Sequence, residues 1–205
     1  MISPLLAKNG LNMMAVFNLE TLPAELLASL HTSVEDLSSY SQMLVFAHAG
    51  KDMWQALQPS SFKNAAEPID SFSMHVVQHY FSQALPGNRY QPLYPHSKIH
   101  IDLQQLGQLA GWHHDSPFRI GINEMFGSWF AYRVVVLADT TLKATVKMAS
   151  PSPCDTCQDK PCIAVCPAKA LDQGDLNLPA CLDYRLESHS RCKKPMPIPH
   201  HLSYS

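Results

Sequence analysis

Two periods of apolar residues run through this chain, and they predict different elements. Met43-Leu-Val-Phe-Ala-His48 is apolar without alternation and stops at Gly50, the pattern of a strand buried on both faces. From 70 to 85 the period changes. Phe72, Val76, Tyr80 and Leu85 recur at near-helical spacing, Asp70 or Ser71 stands at the cap position, and Pro86-Gly87 ends the run, so this is the best-marked helix. Shorter helices are expected over 23–30 with Thr21 as cap, over 51–57, and over 102–110, closed by Gly111.

Further on, the β-branched and aromatic stretches 118–123 and 128–139 predict two strands forming an antiparallel pair across a turn. Helices and strands mix without a strict βαβ rhythm, and no internal repeat or low-complexity tract interrupts them. An α+β fold is the expected class.

Composition narrows the partners. The chain has 205 residues, 46% of them hydrophobic, with a net charge of −2 and a pI near 6.6. That content suits a packed domain with a small appendage, and the charge gives no strong nucleic-acid signal and no pull toward an acidic membrane. Val134-Val-Val-Leu-Ala138 is too short to span a bilayer. The amino end lacks a charged start before an apolar core, so no secretory leader is expected. A cytoplasmic, reducing setting follows as the expectation, where cysteines bind metal or do redox work more often than they form disulfides.

All six cysteines lie between 154 and 192, and the first 153 residues have none. With Ala149-Ser-Pro-Ser-Pro153 reading as a linker, this marks two domains, 1–149 and 150–205. The run Cys154-x2-Cys157-x4-Cys162-x3-Cys166-Pro167 differs from the bacterial ferredoxin run C-x2-C-x2-C-x3-C-P only in its middle gap. A zinc site usually shows two Cys-x2-Cys knuckles, and here there is one. The expectation is one [4Fe–4S] cluster, with Cys154, Cys157 and Cys162 as the secure trio. Its fourth ligand is Cys166 or Cys192; Cys166, Cys181 and Cys192 can alternatively form a degenerate second site.

The residues leading into the run carry a family resemblance. Gly111-Trp112, Gly121-Ile-Asn123, Phe126-Gly-Ser-Trp-Phe130, Leu137-Ala-Asp139 and then the cysteines resemble, in that order, the cobalamin-dependent epoxyqueuosine reductases of tRNA modification. Leu178-Pro-Ala-Cys-Leu-Asp-Tyr184 is similar to their next segment. Phe126-Gly-Ser-Trp-Phe-Ala-Tyr-Arg133 is also similar to the cobalamin-processing protein CblC. The resemblance spans roughly residues 100 to 190. Where the reductases carry Gly-Trp-Ile-Gly-Lys, this chain has Gly111-Trp112-His113-His114-Asp115.

The resemblance implies a flavin-reductase-like (CblC-like) mixed sheet with helices, followed by a small ferredoxin-like iron–sulfur segment. It implies cobalamin as a second cofactor, and a reductase that passes electrons to a corrinoid or other bound redox centre. Trp112, Phe126, Gly127, Trp129 and Arg133 then stand as cofactor-binding residues, with Tyr132 beside them and Arg133 suited to a phosphate or carboxylate. The implied partners are an electron donor such as flavodoxin or ferredoxin, and a small-molecule or modified-nucleoside substrate.

Two other readings compete, a ferredoxin-like electron carrier without its own catalysis and a zinc-stabilised binding module. His75 and His79 share a helix face but lack the glutamate of His-Glu-x-x-His, so they read as a solvated surface. His113, His114 and Asp115 read as a loop able to donate protons. No Walker loop, Gly-x-Gly-x-x-Gly or Gly-x-Ser-x-Gly element occurs.

Overall fold

The computed structural model describes residues 2–95, 99–117, 119–147, 150–172 and 175–193. They form two units, Met1–Gly111 with Trp129–Met148, and Trp112–Ser128 with Ala149–Ser205. The first unit holds α1 (Pro4–Lys8), β1 (Met13–Asn18), α2 (Ala24–Ser33), β2 (Gln42–Ala49), α3 (Asp52–Leu57), α4 (Pro68–Ala84), β3 (Tyr90–Tyr94), α5 (Leu103–Ala110) and β4 (Phe130–Ala138). The second holds α6 (Pro161–Ala164) and α7 (Leu178–Leu186). The stretch 112–128, which lies within the first domain in the sequence reading, groups here with the cysteine segment.

Among the described residues, four strands make one antiparallel sheet in the order β1-β2-β4-β3. The two central strands are dry on both faces over 42–47 of β2 and 134–138 of β4. Leu44 and Phe46 of β2 join Val134 and Val136 of β4 and the Phe72, Val76, Val77, Tyr80 and Phe81 stripe of α4 in one core. The residues between them, Met43, Val45, Val135 and Leu137, are equally buried. This explains the missing alternation in the sequence of β2. Each such side chain contributes about 1.5–3 kcal/mol relative to exposure.

Helix starts differ from expectation where a proline or a nearby carbonyl intervenes. Pro68 opens α4 two residues before Asp70, because its fixed φ suits the first helical turn; Asp70 then sits in that turn, where a carboxylate favours the helix dipole. Thr21 does not cap α2; its hydroxyl bonds the Asn18 carbonyl, and Pro23 precedes the helix instead. Asp102 caps α5 by accepting from the N–H groups of Gln104 and Gln105, and Gly111, at φ 74°, closes it in the left-handed region.

The strand expected over 118–123 is not formed by its described residues; Phe118 lies outside them. His114 bridges Ile122 and Asn123 bridges Gly127 as isolated pairs, and β4 takes β2 and β3 as its neighbours. Arg119 at φ 61° and Gly127 at φ 57° turn the chain too sharply for a ladder. Among the described residues, no helix is long and apolar enough to cross a membrane.

Candidate functional site

In the second unit, the chain around the cysteines consists of short turns. Pro161 opens the single turn α6 after Lys160, whose φ of 37° reverses the backbone. Cys162 lies in α6, and Cys166 donates its N–H to the Ile163 carbonyl at 3.1 Å. Asn177 caps α7 through the Ala180 N–H at 3.1 Å, and α7 carries Cys181. Cys192 follows in the turn 191–193. All six cysteines are free thiols; Cys192 is exposed and the other five are half-buried.

Two of these thiols, Cys154 and Cys157, lie near enough to Cys162 for their charge to act on it. Burial pushes the Cys162 thiol up, charge on Cys154 and Cys157 pushes it further, and the N–H groups of Ile163 and of Cys162 itself pull it down. Among the described residues, no three His, Cys, Asp or Glu side chains stand close enough for a single metal ion, which needs every sulfur at about 2.3 Å if it is zinc. A cluster distributes its thiolates over separate irons around a wider core. The donor chemistry fits such a group: soft sulfurs, half-buried, with backbone N–H groups directed at one of them, the interactions that tune cluster potentials.

The 112–128 stretch is organised by Asn123. Its buried side chain accepts from the N–H groups of Met125 at 3.0 Å and Phe126 at 3.1 Å, and donates to the Trp112 carbonyl at 3.1 Å. Trp112, Phe126 and Gly127 are thereby gathered on one loop of the second unit. His113 is buried and pairs with Asp115 at 3.3 Å, while His114 Nε2 lies 2.9 Å from Ser150 Oγ. Trp129 and Arg133 lie in the first unit, so the five expected cofactor-binding residues are divided between the units.

In the first unit, Trp129 and Arg133 line a cavity of ≈ 260 Å³ with His48, Gly50, Lys51, Met53, Trp54, Leu57 and Ile69. Its geometry comes from a bulge. Phe46 faces Val134 and Ala47 faces Tyr132, so Arg133 is the extra residue of β4. Bulges re-aim side chains, and this one brings Arg133 Nε to 2.8 Å from His48 Nδ1, to which it donates. Burial and the Arg133 guanidinium hold His48 down to about 4, so its imidazole is neutral. Burial lowers Arg133, and the charges of Asp70 and Tyr94 partly offset that. Tyr132, packed edge-on against Phe130 at 5.4 Å, is pushed well above the usual phenol range by burial and by Asp102, so it keeps its proton.

Neither His48 nor Trp54 stands out in the sequence. The available signal was a titratable residue closing the apolar run of β2. His75 and His79 are exposed on α4, with His75 tilted against Phe62 at 5.0 Å.

No protein-family model matches the chain, and no curated protein is similar to it. Solved structures are. The epoxyqueuosine reductase of Streptococcus thermophilus is 14% identical, covering 90% of this chain and 57% of that one with a TM-score of 0.54. An epoxyqueuosine reductase solved with an epoxyqueuosine-modified tRNA-Tyr stem loop is 12% identical, covering 83% and 52% with a TM-score of 0.50. CblC, a B12-trafficking protein of C. elegans, aligns at 16% identity over 69% of this chain and 68% of that one, with a TM-score of 0.42. The chain spans about half the length of the reductases. At such identities the likeness establishes the fold, which is the mixed α+β fold of the epoxyqueuosine reductases. The family named from the Gly-Trp and Phe-Gly-Ser-Trp-Phe elements is the one these structures return.

Proposed function

We propose that this chain is an iron–sulfur redox protein, a [4Fe–4S] reductase that passes electrons to a corrinoid or other bound redox cofactor. The observation that carries the reading is the run Cys154-x2-Cys157-x4-Cys162-x3-Cys166-Pro167, with its thiols free and Cys154, Cys157, Cys162 and Cys166 half-buried, in a chain with the reductase fold. These three would hold the cluster, with Cys166 or Cys192 as the fourth ligand, and Cys181 nearby in sequence. The cluster would supply electrons one at a time.

The protein's own residues supply the surroundings. Arg133 offers a fixed positive charge to a phosphate or carboxylate of the second cofactor, and Trp129 with Trp54 offers apolar surface beside it. Tyr132 holds its proton at Oη. Trp112, Phe126 and Gly127 present a loop stiffened by Asn123. One reductase of this fold was solved with a modified tRNA stem loop, which supports a modified nucleoside as substrate and weighs against taking the near-neutral charge as exclusion of RNA. A flavodoxin or ferredoxin in the cytoplasm would serve as donor.

Anaerobic purification in the presence of cobalamin, followed by iron, acid-labile sulfide and cobalt analysis, tests this. Equal iron and sulfide together with cobalt are expected. Iron and sulfide without cobalt reduce the reading to an electron carrier, and zinc without iron overturns it.

A further inference from the structure

We infer that His48 is a positioning residue. It engages Arg133 Nε so that the guanidinium can grip a small carboxylate or phosphate only end-on, through Nη1 and Nη2, in the cavity of the first unit. The inference rests on the reading of Arg133 as an anion ligand and adds how it is presented and what size of ligand it takes.

The guanidinium has two edges that can hold a planar anion, one made of Nε and an Nη, the other of both Nη groups. His48 Nδ1 accepts the Nε hydrogen at 2.8 Å, so the first edge is occupied. Among the described residues no hydrogen bond takes the Nη hydrogens, and no buried side-chain nitrogen is left unsatisfied; the Nη edge therefore keeps solvent contact on the cavity that Arg133 lines, with the charges of Asp70 and Tyr94 acting on the guanidinium from farther off. An arginine is the lining residue that a histidine can orient in this way, because the imidazole is neutral and its Nδ1 lone pair is free to accept. That fixes the tautomer with the proton on Nε2.

The rest of the lining selects the body that carries the anion. Met53, Leu57 and Ile69 close the cavity with apolar atoms, and Trp54 and Trp129, 61% and 48% exposed, stand at it with ring surface uncovered. Its ≈ 260 Å³ falls below the roughly 300 Å³ at which pockets for drug-sized ligands begin. The geometry therefore suits a single ring or short chain bearing one anionic group, as a free molecule or as the terminal part of a larger cofactor.

Titration of tryptophan fluorescence at neutral pH with benzoate, phenyl phosphate and the uncharged benzamide tests this on the full chain. At least one anion is expected to bind tighter than benzamide, and the better of the two identifies carboxylate or phosphate as the group recognised. His48→Gln, whose amide oxygen can still accept from Nε, should retain that affinity, whereas His48→Leu and Arg133→Lys should each lose roughly ten-fold or more, the size of a charge-assisted contact. Equal binding of anions and benzamide, unchanged affinity in His48→Leu, or equal loss in His48→Gln overturns the inference.

Nitrogen-15 spectra of the unsubstituted chain guard against a misfolded variant. On adding the better anion, the Arg133 Nη signals should move while the Nε–H signal holds; movement of Nε–H away from its histidine-bonded position overturns the inference. Iron and sulfide content, measured on the same samples, separates this outcome from the fate of the redox reading. Normal cluster content with no anion binding defeats only the present inference.

Discussion

His114 Nε2 lies 2.9 Å from Ser150 Oγ, tying the loop after Trp112 to the start of the cysteine segment. The same histidine forms the paired backbone hydrogen bonds with Ile122, each 2.9 Å long, so one residue holds the loop from both its side chain and its main chain. Ser150→Ala removes the side-chain tie and leaves the ladder. A part-buried hydrogen bond of this kind contributes about 1 kcal/mol, so amide exchange at His114 and Ile122 should quicken roughly five-fold on that scale. Unchanged exchange would show that the backbone pair alone fixes the loop.

The neutral His48 makes the stability of the sheet unit depend on pH in acid. Its folded value is about 4 against an ordinary 6.5, so the unfolded chain binds the extra proton between these limits and stability rises with pH there. The stability present above about 6.5 is lost as pH falls toward 4. Denaturant unfolding of the native chain should show this slope, and His48→Gln, which cannot take the proton, should flatten it. Equal slopes in the two proteins would place the acid sensitivity elsewhere.

What could be read from the sequence follows from where the determining forces lie. β2 and α4 were legible because their own apolar patterns record the burial that holds them. β3 was not, since Pro92 breaks any strand pattern, and the proline is tolerated because β3 is the edge of the sheet. The over-read strand near Ile120 and Ile122 shows the converse: two β-branched residues count for little when Asn123 folds back onto the Phe126 N–H. The cysteine run stands out in the sequence because four thiols crowd into thirteen residues, 154 to 166, the close spacing along one stretch of chain that the proposed cluster would need. The His48–Arg133 pair was not, because it joins residues 85 positions apart through a bulge that no local pattern announces.

Gly10 is a position where backbone freedom and space are both required. It sits at φ 78°, and a Cβ there would overlap Cα and N of Met53 at the start of α3. Gly10→Ala therefore combines left-handed strain with overpacking against backbone that cannot yield, together roughly 2–4 kcal/mol. Thermal unfolding should fall by about 5–15 °C for a chain of this size. Gly50, also at positive φ but with open space around it, should show only the strain, and the difference between the two substitutions isolates the contact with Met53.

The cysteine substitutions discriminate most sharply between the readings. Cys162 is influenced by both Cys154 and Cys157, so Cys162→Ser removes the thiolate that connects the trio. Serine oxygen is a poorer match than sulfur for iron–sulfur chemistry, and anaerobically purified Cys162→Ser should lose nearly all iron, acid-labile sulfide and visible absorbance. Cys154→Ser and Cys157→Ser should do the same. With one cluster per chain, only one of Cys166→Ser and Cys192→Ser should lower iron as far, and that one names the fourth ligand. Cys192 is exposed whereas Cys166 is half-buried, so a loss confined to Cys192→Ser would mean that the turn at 191–193 closes over the cluster when it binds. Full iron in Cys162→Ser would remove the trio from the site and with it the iron–sulfur reading of this segment.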